Sequence, residues 1–139
     1  MKLVAIAILA LFHLQPASTP AGTWTAEKDG TTFARLELRY GNSGLIGALS
    51  LGDISVDNAG ALQVVKAAPE TMTQLKNISV ANGVVSFTWH RDSDEDRFRL
   101  RLLPDGAAEL TVLLSEEVLE ELKDEGIPVP KPILLRKAR

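Results

Sequence analysis

The sequence predicts an all-β, mainly antiparallel protein: an up-and-down meander forming a small barrel or half-barrel, with one short helix before a last strand. Three observations predict it. Turn signals recur at roughly eight- to twelve-residue spacing, as in strand meanders. Apolar and polar residues alternate between the turns, and a helical period appears only after Leu114. Folding the segments about their turns brings apolar residues opposite apolar residues, whereas a slip of one residue would send every side chain to the wrong face.

The chain begins with Met1 and Lys2, continues almost wholly apolar from Leu3 to Leu14, and then turns small and polar from Gln15 to Ala21. That layout is a secretory signal peptide covering residues 1–21, with cleavage expected after Ala21 and after Ala17 as second choice. The apolar run falls short of the roughly 20 residues a membrane-spanning helix needs, so no transmembrane segment is expected in the mature chain. Residues 22–139 are expected to form a single β domain. With Lys2 lost in the leader, 14 basic residues stand against 18 acidic ones, a formal charge of -4. This balance argues against a nucleic-acid partner, which calls for a basic footprint. There is no cysteine, and export without disulfides points to a bacterial periplasm or cell exterior.

In the first half, Lys28-Asp29-Gly30 read as a three-residue turn sets Trp24 opposite Ala34. Gly41 to Gly44, read as a four-residue loop, pairs Leu38 with Gly47, Leu36 with Leu49 and Ala34 with Leu51, and sends Arg35, Glu37 and Arg39 outward. Ile54 to Val56 and Leu62 to Lys66 read as short strands around Asp57-Asn58-Ala59-Gly60, although Ala61 to Ala68 reads equally well as a helix.

In the second half, Asn82-Gly83 is a strong hairpin signal because both residues take positive φ cheaply. It pairs Val80 with Val85, Ile78 with Phe87 and Ser79 with Ser86. Asp92 to Glu95 as a four-residue loop pairs Trp89 with Phe98, Phe87 with Leu100 and Val85 with Leu102. The other face then carries His90, Thr88 and Ser86 against Arg97, Arg99 and Arg101. Pro104-Asp105-Gly106 pairs Leu102 with Ala108, Leu100 with Leu110 and Phe98 with Val112, with Arg101 meeting Glu109 outside. Strands are therefore expected near 77–81, 84–91, 96–103 and 107–114. Ser115 caps a helix that Glu116 and Glu117 favour at its positive end, Val118, Leu119 and Leu122 stripe, and Gly126 stops. Pro128, Pro130 and Pro132 force an extended run into a final strand at Ile133 to Lys137.

Chemistry is sparse. His90 is the only imidazole after the leader, so histidine catalysis is nearly excluded. Ala48-x-Ser50-x-Gly52 has the spacing of a nucleophile elbow but lies in a strand with no helix clearly following. Asp92, Asp94 and Asp96 have calcium-loop spacing, yet Arg97 stands where glycine is required and Leu103 where a bidentate acid should sit. No metal, no cofactor and no enzymatic activity are expected. Arg97, Arg99 and Arg101, with Arg35 and Arg39, are either the wet side of a sheet or an anion-binding face. The inward apolar set is first of all a core; if it lines a cavity, the expected ligand contacts are Trp24, Leu36, Tyr40, Phe87, Trp89 and Phe98.

Gly22-Thr23-Trp24 at the mature start, a meander, a helix and a last strand carrying Arg136 resemble the lipocalin, or wider calycin, pattern. The resemblance implies that Trp24 closes one barrel end and Arg136 packs across its ring as a cation-π partner. The tail Pro130-Lys131-Pro132-Ile133 is similar to that of small secreted bacterial β proteins, a group that lends no activity. The functional expectation is an exported, non-enzymatic barrel holding a small hydrophobic ligand. The alternative is an envelope structural or interaction module that meets a partner protein through a sheet edge or the arginine face.

Overall fold

The structure, a computed structural model, describes residues 19–138; the expected signal peptide lies, up to Ser18, outside the described residues. In chain order the strands are β1 (Gly22–Lys28), β2 (Thr31–Gly41), β3 (Gly44–Leu51), β4 (Ile54–Val56), β5 (Leu62–Val65), β6 (Thr73–Gln74), β7 (Lys76–Ala81), β8 (Val84–Arg91), β9 (Asp94–Leu102) and β10 (Ala107–Leu113). Helix α1 (Glu116–Asp124) and β11 (Ile133–Lys137) follow. Nine strands make one antiparallel sheet in the order β6-β3-β2-β1-β11-β10-β9-β8-β7, and β4-β5 is a separate hairpin.

The two edges of that sheet are neighbours in sequence. Only Leu75 separates β6, which pairs with β3, from β7, which pairs with β8. One continuous segment therefore touches both ends of the sheet and rolls it into a nearly closed barrel of eight staves. At that strand number the interior is just wide enough for side chains to fill. Leu75 itself is buried, and its amide donates to Gly47 O at 2.9 Å, continuing the β3 ladder for one more residue. Beyond it the seam is bridged by a side chain: Trp89 Nε1, on β8, donates to Leu49 O, on β3, at 3.1 Å.

The last strand completes the wall by lying between β10 and β1, with Leu110 opposite Ile133, Ala107 opposite Arg136 and Trp24 opposite Lys137. The proline turn gives the expected register, including Leu100 with Leu110, Phe98 with Val112 and the Arg101–Glu109 ion pair at 2.9 Å. The β2–β3 register is also as expected, although Gly41 and Gly44 themselves pair and leave only Asn42 and Ser43 in the turn. Residues 62–65 are a strand, not a helix. Ser115 Oγ accepts from Val118 N at 3.2 Å to start α1, whose nine residues are all solvent-accessible.

Three expected registers need correction. Asp92 and Ser93 alone make the β8–β9 turn, with Asp92 at φ 54°. Phe87 then faces Phe98, Trp89 faces Asp96, and Val85 faces Leu100, two residues from the expected pairing. A shift of two keeps every side chain on its face, so alternation alone does not separate the two loops. Asp29-Gly30, both at positive φ, make the β1–β2 turn, and Trp24 faces Leu36 while Ala26 faces Ala34. Phe33 is the extra residue of a bulge there, and it is fully buried. In β7, Asn77 at φ 52° and Ile78 together stand opposite Phe87.

The core runs through the barrel from Trp24 at one end through Leu36, Leu49, Val85, Phe87 and Leu100 to Leu110 at the other. Phe87 and Phe98 stack with ring centroids 5.7 Å apart, and Trp89 meets Phe98 edge-on at 6.1 Å. Tyr40, by contrast, is 61% exposed: β1 pairs with β2 only as far as Leu38, so Tyr40 stands beyond the rim and is not an interior residue. Trp89→Phe removes the seam hydrogen bond and is expected to cost about 1–3 kcal/mol. Tyr40→Ser should stay within about 0.5 kcal/mol. Urea denaturation of both variants checks the difference.

Candidate functional site

The barrel's ends differ because their connections differ. At the end where β1 begins, short turns leave little to cover the interior, and the chain covers it with its own lead-in. Pro20 is buried and its carbonyl accepts from Trp24 Nε1 at 2.8 Å. Lys137 Nζ sits 5.2 Å from the Trp24 ring centroid and donates to Thr19 O at 3.2 Å. The cation over Trp24 is thus Lys137 and not Arg136. Arg136 is one position earlier, in register with Thr25 and Ala107, on the outward side of β11, because side chains alternate along a strand.

The opposite end holds the longer connections: residues 52–53, the β4–β5 hairpin, and the stretch from α1 to β11. Asp57 organises the hairpin tip, its Oδ1 accepting from Ala59 N at 2.8 Å and from Ala61 N at 3.0 Å. The tip is held to the proline run by Lys131 N donating to Gly60 O at 2.9 Å. Gly60 has φ 84°, and a Cβ there would collide with Val129 O, so this close approach requires glycine. Gly52 N donates to Phe33 O at 2.8 Å, tying the first connection to the β2 bulge.

Between these loops and the barrel interior lies a cavity of about 220 Å³. Its apolar walls come from Leu51, Ile54, Phe98, Leu110, Val112 and Ile133. Its rim carries Asp53, Arg91, Asp96 and Lys131. Leu51, Phe98, Leu110, Val112 and Ile133 are all on the inward sides of their strands, so the cavity is the unfilled end of the core and not a dent in the outer wall. Arg91 lies with its guanidinium 5.6 Å from the Trp89 ring centroid, and among the described residues no carboxylate oxygen lies within 4 Å of it or of Lys131 Nζ. A larger hollow, about 470 Å³, lies mainly on the outward faces of β1 to β3, among Glu37, Arg39 and Gln74. Its charged walls suit a solvated surface.

Of the residues expected to meet a ligand, only Phe98 lines the cavity. Trp24, Leu36 and Phe87 are packed within the core, Trp89 is buried behind Arg91, and Tyr40 is outside. Ile54, Arg91, Asp96, Leu110, Val112, Lys131 and Ile133 were not legible as a site, since they come from separate stretches that only the closed barrel brings together. The aspartates at 92, 94 and 96 form no loop: Asp92 is in the turn, Asp94 pairs with Arg91, and Asp96 with Trp89. His90 faces Glu95, its Nε2 3.8 Å from the carboxylate, instead of Arg97. Ser50 is buried within β3, and its hydroxyl donates to Pro69 O.

Compared with protein-family models, curated proteins and solved structures, the chain matches none of them. Gly60→Val forces a branched side chain into positive φ against the Val129 carbonyl and is expected to cost about 1–3 kcal/mol. Hydrogen exchange should show the loss concentrated in residues 53–66 and 128–132, with the Trp24 end unchanged.

Proposed function

We propose that the chain is an exported, non-enzymatic binding protein that takes a small apolar ligand, or the apolar end of a larger one, into the open end of its barrel. The observation that carries this reading is the contrast between a filled interior and one recess at its end. That recess has apolar walls and polar groups only at the rim, the usual character of a ligand pocket. Its size sets the class. At about 220 Å³ it is smaller than the roughly 300 Å³ at which pockets for drug-sized molecules begin. A short alkyl chain or a single ring fits that bound. Trp24 at the covered end and a β11 that joins β10 to β1 support kinship of layout with lipocalins.

Absence of catalysis belongs to the same reading. The Ser50 hydroxyl is committed to a carbonyl within the wall, and His90 has Glu95 across a hairpin end for its neighbour. A nucleophile with a base in reach is what acyl-transfer chemistry requires.

Tryptophan fluorescence tests the binding claim. In a Trp24→Phe variant Trp89 is the sole reporter, lying against Phe98, which lines the recess. A panel of short-chain alcohols and carboxylic acids is expected to include a member that shifts its emission saturably. Val112→Phe, which narrows the recess, should abolish that shift. No saturable response from any member sinks the reading.

Export carries its own test. The bond from Trp24 Nε1 to Pro20 O supports retention of Thr19 to Ala21 in the mature protein, because losing that acceptor would leave a buried indole N–H unpaired at a cost of about 1–3 kcal/mol. Cleavage after Ala17 keeps it. The intact mass of the protein secreted from a bacterial host is expected to start at Ser18; a start at Gly22 contradicts the role given to Pro20.

A further inference from the structure

The outer wall of β7, β8 and β9 carries a largely polar groove of about 280 Å³, which shares with the end cavity only Phe98. Its register is fixed by the two-residue turn at Asp92-Ser93. Thr88 stands between Lys76 on one side and Arg97 on the other, while Ser86 stands between Ser79 and Arg99. Residues directly opposite across a sheet have Cβ atoms about 5 Å apart, so both hydroxyls have cationic neighbours in register, of which Arg97 lines the groove itself. Ser79 and Asn77 border the same groove.

Thr88 is the unusual member. It is 5% exposed, yet among the described residues its hydroxyl has no hydrogen-bond partner. Nor is it sealed in, because no fully enclosed side-chain polar atom lacks a partner among those residues. The oxygen therefore reaches the groove that Thr88 lines. A buried hydroxyl is normally paired, and this one is open to whatever fills the groove, water or ligand. Arg97 and Arg99 are equally free: among the described residues neither has a carboxylate oxygen within 4 Å, whereas Arg101 on the same strand is taken by Glu109. Among the described residues Glu95 is the one carboxylate bordering the groove, and it lies 3.8 Å from His90 Nε2.

From this arrangement we infer that the groove binds a phosphate-type oxyanion, with Arg97 and the Thr88 hydroxyl as its principal donors and Ser86, Lys76 and Arg99 around it. Several donors from three neighbouring strands suit a group with three or four acceptor oxygens, and a guanidinium presents its N–H groups as a fork that matches phosphate geometry. The overall acidic charge of the mature chain does not oppose this, because at physiological salt charges beyond about 8 Å are largely screened.

The probe is inorganic phosphate, titrated into the exported protein at constant ionic strength, with backbone amide shifts read by NMR. Saturable shifts are expected at residues 76–79, 86–88 and 95–99. Arg97→Ala should weaken binding about tenfold, as loss of a charge-assisted bond in a partly wet site does. Thr88→Val, nearly isosteric, should weaken it several-fold, and Glu95→Gln should strengthen it. Arg35→Ala removes the same charge from the far wall and should change nothing. Phosphatidylglycerol vesicles form the second arm: displacement of inorganic phosphate by vesicles identifies a lipid headgroup as the source, and indifference to them identifies soluble phosphate. Absence of saturable shifts, or shifts that Arg97→Ala and Thr88→Val leave intact, overturns the assignment; neither outcome bears on the end cavity.

Discussion

The indole of Trp89 ties β8 to β3 where the backbone ladder does not, and the rest of the molecule depends on that closure. An open sheet of this composition would leave Phe87, Phe98, Leu100 and Leu36 facing water on one side. Burying a side chain of this kind contributes about 1.5–3 kcal/mol, and the burial exists only because the sheet returns on itself. The chain achieves this without a long edge-to-edge ladder. The segment from Thr73 to Ala81 pairs first with β3 and then, past Leu75, with β8, so each edge receives a few backbone bonds and a side chain bridges the remainder.

Closure also decides where a ligand has room. Eight staves leave no channel once aromatic and leucine side chains point inward, and the interior is filled from the Trp24 end onward. Filling stops where the inward positions belong to strands that end at different heights. There Arg91 and Asp96 take the places that apolar residues hold deeper in, and the hairpin of β4 and β5 and the proline run arch over the gap. Their mutual docking through Gly60 and Lys131 makes the arch a fixed feature of that end. The other end is covered by the residues just before β1, with Pro20 O on Trp24 Nε1 and Thr19 O on Lys137 Nζ.

Much of the fold was legible because alternation and turn chemistry act locally. Asn82-Gly83, the proline turn, the Ser115 cap and the strand after Pro132 each follow from a few neighbouring residues. Alternation has a blind spot, however: it fixes a register only up to a shift of two. Pairing Trp89 with Phe98 or with Asp96 satisfies it equally, and the turn at Asp92-Ser93 decided between them. Bulges hide for a related reason. Phe33 falls at a position that alternation sends outward, and only the extra residue between Ala26 and Glu27 in the partner register accounts for its burial. Closure was the least legible part, since its bonds join residues far apart, Trp89 with Leu49 and Leu75 with Gly47. The cavity inherits that difficulty. Its walls come from four stretches that share no motif, and of the residues expected to touch a ligand only Phe98 belongs to it.

A barrel wall one residue thick can serve two environments at once, and β8 and β9 do so most clearly. Phe98 faces the cavity while Arg97, its neighbour in the chain, faces the groove; Phe87 and Trp89 pack inside while Ser86 and Thr88 present hydroxyls outside. Because the period is two, the identity of each face varies independently so long as the register holds. The register is therefore the shared element. A change that shifted β8 against β9 by two would keep the core apolar and set Thr88 against Arg99 and Ser86 against Arg101, the arginine that Glu109 already holds. Burial alone does not distinguish those two states; the two-residue turn at Asp92-Ser93 does, and it thereby decides which arginines stand against Thr88 and Ser86.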